Sequence, residues 1–206
     1  MLKPLVYVVD DDQAVRSALR LLLKSVGLPV RECASAREYL ELHDPAQPGC
    51  LVLDVRMPGM GGIELQQQLN LRGAIVPVIF ITGHGDIAMA VEAMQHGAFD
   101  FLAKPFRDQD LIDRVQRALE KDATARRALA QDHEVRDRYD NLTPREREVL
   151  ALMVQGKANK VMADDLGCSQ RTVEIHRARV MEKMHASSLA LLVRMMLTLE
   201  KAPPQP

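Results

Sequence analysis

Cysteine is scarce in this chain, and the three that occur, Cys33, Cys50 and Cys168, form no close pair. An odd, scattered set argues against a disulfide framework and against a zinc site, and it fits a reducing compartment. Long apolar runs are missing as well: none approaches the roughly 20 residues of a membrane helix. At the N-terminus the apolar stretch Leu5-Val6-Tyr7-Val8-Val9 meets Asp10 too soon for a secretory signal. A soluble, cytoplasmic protein that does not engage membranes is expected. Neither charge dominates, with 27 Lys and Arg against 28 Asp and Glu.

The distribution of charge is more informative than its total. Residues 1–121 carry 13 basic against 16 acidic side chains, whereas residues 141–206 carry 10 against 7. A mildly basic tail on an acidic head is the asymmetry expected when only the tail meets nucleic acid. Hydropathy also divides the chain. Apolar runs with strand character recur at Leu5–Val9, Cys50–Leu53, Val76–Ile81 and Phe99–Leu102, with a more polar run at Val30–Cys33. Helical stripes lie between them: Val15, Leu19, Leu22, Leu23 and Val26, then Ile63 and Leu69. Ala90, Val91 and Met94 follow, then Leu111, Ile112, Val115 and Leu119. Buried strands alternating with helices predict a five-stranded parallel sheet with helices on both faces, a flavodoxin-like (βα)5 domain of the α/β class over residues 1–121.

Residues 122–140 are charged and alanine-rich and read as a helical linker. A heptad seam of Leu111, Val115, Ala118, Ala125 and Leu129 also allows a coiled coil, although the seam places Asp122, Asp132 and Arg136 at core positions. From Asn141 to residue 206 no strand pattern appears. Thr143-Pro144-Arg145-Glu146 has the form of a capped helix start, and Gly156 stops that helix. Asn159–Leu166, a helix from Ser169 to about Met184 and a fourth from Ser188 complete an all-α domain that ends before Pro203-Pro204.

Four polar signals of the first half sit at the ends of apolar runs: Asp10-Asp11, Asp54, Thr82 and Lys104. A doubly wound sheet gathers such residues at the edge formed by its strand C-termini. Paired carboxylates offer hard oxygen donors to Mg²⁺, or Mn²⁺, which takes one or two carboxylates and keeps several waters. Asp54 is then placed to accept a phosphoryl group, with Thr82 supplying a hydroxyl and Lys104 a positive charge toward the phosphoryl oxygens. Singly, each residue also has a plain reading: Asp11 or Asp12 as a helix cap, Asp54 opening a turn, Thr82 satisfying backbone groups, Lys104 solvated.

Val8-Val9-Asp10-Asp11-Asp12, Leu53-Asp54-Val55-Arg56-Met57-Pro58-Gly59-Met60 with Gly62, Ile81-Thr82-Gly83-His84-Gly85 and Phe101-Leu102-Ala103-Lys104-Pro105-Phe106 together resemble the receiver domain of bacterial response regulators. The resemblance implies Asp54 as phosphoacceptor and Asp11 as a direct metal ligand. Asp10 then acts directly or through water, and the Arg56 main-chain carbonyl completes the protein ligands. It implies a cis peptide at Lys104-Pro105 and a switch in which Thr82 moves inward and Phe101 fills the vacated space; Phe101 as plain core filler is the alternative. Related receivers pair, when phosphorylated, through the fourth helix (Asp86 to Gln95) and the fifth strand, where Ala90, Val91 and Met94 offer apolar contact. His84 is either a tuner of phosphoryl loss or an inert exposed side chain.

In the second half, Ala163, Gly167 and Val173 meet the spacing demands of a helix-turn-helix: a small residue, a turn glycine and a β-branched residue in the second helix. Arg171, Thr172, Glu174, His176, Arg177, Arg179 and Lys183 lie on outer faces of that second helix. Leu142-Thr143-Pro144-Arg145-Glu146-Arg147-Glu148-Val149-Leu150, Asn159-Lys160 and Thr172-Val173-Glu174-Ile175-His176-Arg177 resemble the LuxR-type DNA-binding domain. Paired with Gly83-His84-Gly85-Asp86 and Lys104-Pro105-Phe106, they resemble the FixJ subfamily of response regulators. That likeness implies that Glu174, Ile175 and Ala178 face base edges, with Lys160, Thr172, His176, Arg177 and Arg179 as phosphate candidates. Asp164-Asp165 departs from the pattern by being acidic this close to DNA.

The expected function is a two-component regulator. A sensor histidine kinase phosphorylates Asp54, a homodimer forms, and promoter DNA is bound to activate transcription with RNA polymerase. No turnover enzyme is expected beyond self-phosphorylation and slow self-dephosphorylation. An aspartyl-phosphate phosphohydrolase is the enzyme-class rival, but it needs a second acid two residues after the nucleophile, where Arg56 stands. A DNA-binding protein indifferent to phosphorylation is the other rival.

Overall fold

Buried β-branched and aliphatic runs form five strands, β1 (Leu5–Val9), β2 (Val30–Cys33), β3 (Gly49–Asp54), β4 (Val78–Thr82) and β5 (Asp100–Ala103). All pair in parallel, in the order β2-β1-β3-β4-β5. The helices between and after them are α1 (Gln13–Ser25), α2 (Ala36–Leu42), α3 (Gly62–Leu71), α4 (Ile87–Gln95) and α5 (Asp108–Asp140). This computed structural model describes residues 2–83 and 87–201. His84, Gly85, Asp86 and Pro203-Pro204, singled out in the sequence, lie outside the described residues, as does the side chain of Ala90.

The chain divides into two units, Met1–Arg127 and Ala128–Pro206. In the first, the alternation of side chains along a strand sends residues to two cores. Val6 and Val8 join Leu19 and Leu23 of α1 and Leu111 and Val115 of α5. Tyr7 and Val9 join Tyr39 of α2, Leu65 of α3 and Ala93 of α4. Two strands run one residue further than the hydropathy suggests. Asp54 pairs with Ile81 and Thr82 with Ala103, so each polar residue is the last of its strand. The neighbouring strand supplies the ladder partner that the polar side chain does not signal.

Local chemistry fixes how the chain leaves this edge. Asp12 caps α1 through the Ala14 N–H at 2.7 Å, so the helix-cap role falls to Asp12 and not to Asp11. Gly62 opens α3 where a Cβ would lie 2.3 Å from the Asp54 carbonyl oxygen. Only glycine allows that close approach.

The second unit holds α6 (Pro144–Val154), α7 (Asn159–Leu166), α8 (Gln170–Lys183) and α9 (Leu189–Lys201). Thr143 and Glu146 close a capping box at α6, and Gly167 (φ 63°) makes the left-handed turn between α7 and α8. Its core includes Val149, Leu150, Met153, Met162, Val173, Val180 and Leu192, and Val135 and Tyr139 from the end of α5 pack on it. The segment read as a solvated linker is thus engaged at both ends. Asp122 is buried in the first unit, Val135 and Tyr139 pack in the second, and residues 127–131 form an exposed helical run. Among the described residues no helix is long and apolar enough to cross a membrane.

Candidate functional site

At the C-terminal edge of the sheet, Lys104 lies between two carboxylates. Its Nζ donates to Asp10 Oδ2 and to Asp54 Oδ1, both at 3.1 Å. Asp10 and Asp54 come from adjacent strands β1 and β3, while Lys104 follows β5 and reaches across. The second oxygen of each acid is held by a backbone amide, Asp54 Oδ2 by the Arg56 N–H and Asp10 Oδ1 by the Asp12 N–H, both at 2.8 Å. The Lys104 N–H donates to the Thr82 carbonyl at 2.7 Å, which ties the lysine's backbone to the end of β4. The Lys104-Pro105 peptide is cis.

Both acids are nearly out of water, with side-chain exposures of 6% for Asp10 and 12% for Asp54, against 29% for Lys104. Burial raises the Asp54 pKa above its ordinary value, while Lys104 and the Arg56 N–H pull the other way and lose. For Lys104, burial disfavours the charge, but the hydrogen bonds and charges of Asp10 and Asp54 outweigh it and the pKa rises. Asp54 is therefore a poorly solvated carboxylate that gains from any added positive charge.

Of the sequence-predicted residues, the structure brings together Asp10, Asp54, Lys104 and the Thr82 main chain. Thr82 itself is buried at the strand end. Phe101, half-buried on β5, packs against the core beneath α2, α3 and α4. Asp11 is exposed, and among the described residues no three His, Cys, Asp or Glu side chains converge as a ready-made metal cage. The donor chemistry still fits Mg²⁺, which needs few protein oxygens and keeps its waters. Sequence reasoning missed Arg16, whose Nη1 donates to the carbonyls of Asp10 at 2.7 Å and Asp11 at 2.9 Å, holding the acidic loop to α1. Its spacing of six from Asp10 is a faint signal.

In the second unit, Val173 and Val180 turn one face of α8 into the core. Ser169 caps the helix through the Thr172 N–H at 3.1 Å. The opposite face exposes Arg171, Glu174, Ile175, Ala178 and Arg179, with Thr172, His176 and Arg177 half-buried beside them. Ile175 is 47% exposed amid charged neighbours. Lys160 is exposed on α7. Lys183 departs from expectation. It turns away from this face to bond the buried Glu146 at 2.6 Å, because the C-terminus of α8 lies against the start of α6. The acidity at Asp164-Asp165 is half offset, since Lys157 pairs with Asp165 at 2.7 Å.

Comparison with known proteins agrees with this geometry. Residues 6–116 match the response regulator receiver domain, and residues 140–196 match the bacterial regulatory proteins of the luxR family. The chain is 51% identical over 198 residues to the transcriptional regulatory protein FixJ of Azorhizobium caulinodans, covering 96% of this chain and 94% of that protein. It is 48% identical to nodulation protein W of Bradyrhizobium diazoefficiens, covering 96% and 87%. Among solved structures, response regulator StyR is 46% identical with a TM-score of 0.87, covering 95% of this chain and 98% of that one. Full-length FixJ from B. japonicum is 39% identical with a TM-score of 0.59, covering 98% and 100%. Receiver domains of this family generally bind a divalent metal, and the two matched domains imply a kinase partner and DNA. The chain belongs to the two-component response regulators of the FixJ subfamily, a receiver domain joined to a luxR-type DNA-binding domain in a regulator of transcription.

Proposed function

We propose that Asp54 accepts a phosphoryl group from the phosphohistidine of a sensor kinase and that the acyl phosphate promotes pairing of two chains and promoter binding. The observation that carries this reading is the shared Lys104 ammonium, held 3.1 Å from both Asp10 and Asp54. In the transfer, an Asp54 carboxylate oxygen attacks phosphorus, the P–N bond to the kinase histidine breaks, and that electron pair stays on the imidazole. Asp10 and Asp11, with the Asp54 carboxylate and the Arg56 main-chain carbonyl, are the residues that would hold Mg²⁺ or Mn²⁺. Such an ion, when bound, supplies charge neutralisation for the phosphoryl oxygens. Lys104 then exchanges its contact with the free carboxylate for one with a phosphoryl oxygen. The Thr82 hydroxyl bonds another, and Phe101 moves into the space behind it.

The change is read on the face of α4 and β5, where Val91 and Met94 are 52% and 47% exposed. Two copies joined there present two α8 helices to a two-fold site, which multiplies the affinity of one domain. Glu174, Ile175 and Ala178 meet base edges, and Lys160, Arg171, Thr172, His176, Arg177 and Arg179 meet phosphates. The bound dimer activates transcription by RNA polymerase in the cytoplasm, with no turnover of a separate substrate.

Incubation with acetyl phosphate and Mg²⁺ tests the acceptor. The wild-type chain should gain the mass of one phosphoryl group and elute earlier on sizing, and Asp54→Asn should do neither. Equal labelling of Asp54→Asn would overturn the assignment.

A further inference from the structure

The opposite edge of the sheet holds a second buried charge cluster that phosphoryl chemistry does not use. Asp122 lies on α5, past the last apolar residue of its stripe, and is 1% exposed. Its Oδ2 accepts the Gly49 N–H at 2.9 Å, and Arg126 Nε donates to Oδ1 at 3.0 Å and Oδ2 at 2.8 Å. The same guanidinium reaches outward, Nη1 to the Pro45 carbonyl and Nη2 to the Gln47 carbonyl, both at 2.8 Å. Gln47 in turn donates to the Lys3 carbonyl at 2.8 Å. One carboxylate and one guanidinium thus bind the helix to the loop that feeds β3 and, through Gln47, to the segment that feeds β1.

A buried ion pair of this kind is a poor source of net stability, because desolvation cancels most of its attraction. It defines geometry instead, since the fork spans both Asp122 oxygens and two loop carbonyls while the same carboxylate holds the Gly49 amide. Directly after it, residues 127–131 are exposed on all sides of the helix. A solvated helical run of that length has little stability of its own and depends on what fixes its ends. The loop gripped by Arg126 opens the strand whose last residue is Asp54.

We propose that Asp122 and Arg126 form a strap that fixes the outgoing helix to the receiver and sets the start of the free tether at Arg127. The strap makes the helix a stiff extension of the unit that carries the acyl phosphate. Cutting it lengthens the tether by about a turn and a half of helix and uncouples DNA binding from phosphorylation while leaving the phosphoryl chemistry intact. This coupling role rests on the function proposed above, whereas the strap itself does not.

Arg126→Gln in the full chain removes the fork and keeps a polar side chain. Amide hydrogen exchange should quicken about tenfold or more at Gly49 and across residues 124–130, with residues 111–118 unchanged. Acetyl phosphate should label the variant like the wild type. The gain in affinity on phosphorylation should shrink about threefold or more, measured by anisotropy on a genomic fragment selected by the phosphorylated wild-type protein. Unchanged exchange overturns the strap, and faster exchange with a full phosphorylation gain overturns its coupling role. If Arg126→Gln does not fold, Arg126→Lys, which keeps the charge but cannot span both carbonyls, gives the same readouts. A wild-type chain that takes up no phosphoryl group would sink the proposed function, while the exchange comparison would still decide the strap.

Discussion

Glu146 offers a direct test of the electrostatics of the DNA-binding unit. Its carboxylate is buried at the start of α6, where Oε2 accepts from Lys183 Nζ at 2.6 Å and from the Thr143 N–H at 2.9 Å. The Lys183 hydrogen bond first, and the Thr143 amide second, hold its pKa at about 2 against an ordinary 4.5. At about 1.4 kcal/mol per pH unit this difference corresponds to at most about 3.5 kcal/mol. Lys183 is 37% exposed, so solvent screening reduces the expected contribution to about 1–2 kcal/mol. The folded pKa lies below the unfolded one, so the contribution is fully present above about pH 4.5. It is lost as the pH falls from there toward about 2. Glu146→Gln keeps an oxygen for the Thr143 amide but loses the charge. It should cost the second unit about 1–2 kcal/mol at pH 7 and flatten its acid dependence. Urea titrations followed by amide NMR signals of α6 and α8 measure the cost, and ¹³C titration of the Glu146 carboxyl measures the pKa. A carboxyl midpoint between pH 4 and 5, or a Glu146→Gln protein as acid-sensitive as the wild type, would refute the reasoning.

Two further outcomes follow from the receiver. Lys104→Met leaves Asp10 and Asp54 facing each other without their shared cation, and should cost about 1–3 kcal/mol in EDTA at low salt. Millimolar Mg²⁺ should raise its Tm more than that of the wild type, and equal shifts would contradict the picture of a lysine competing for the two acids. Gly62→Ala puts a Cβ 2.3 Å from the Asp54 carbonyl oxygen, so the backbone must shift, at a cost of about 1–3 kcal/mol. Uptake from acetyl phosphate should slow with it. Wild-type Tm and labelling rate together would show that the close approach is unimportant.

The sheet was legible because its signal is local: buried runs alternate with helical stripes, and parallel pairing follows from that alternation. Strand ends were less legible, because the ladder partners of Asp54 and Thr82 belong to β4 and β5. Between Asp11 and Asp12, spacing could not choose the helix cap; the extended backbone at Asp12 does so. The face of α8 was legible from Val173 and Val180, but the fate of Lys183 was not. Helical spacing says which way a side chain leaves its own helix and nothing about which neighbour it meets there. The same limit hid the strap. Asp122 and Arg126 at i and i+4 look like the exposed pair Arg37 and Glu41, and only the loop before β3 makes the difference.

Asp10 and Asp122 are both buried carboxylates on one receiver fold, and their surroundings explain why only one edge of the sheet is chemically open. Asp122 has a guanidinium to itself, plus a backbone amide, and that guanidinium's remaining hydrogen bonds go to carbonyls. Asp10 shares a single ammonium with Asp54, and that ammonium is more exposed than either acid. Two poorly solvated carboxylates that share one cation leave room for an additional positive charge between them. On the function proposed above, phosphorylation of Asp54 would replace one of them with a group whose extra oxygens Lys104 could meet. At the Asp122 edge a new charge would have to break a closed set of hydrogen bonds. A divalent ion or a transferred phosphoryl group therefore has work to do at the C-terminal edge and none at the other, although the two edges are built from the same residue types.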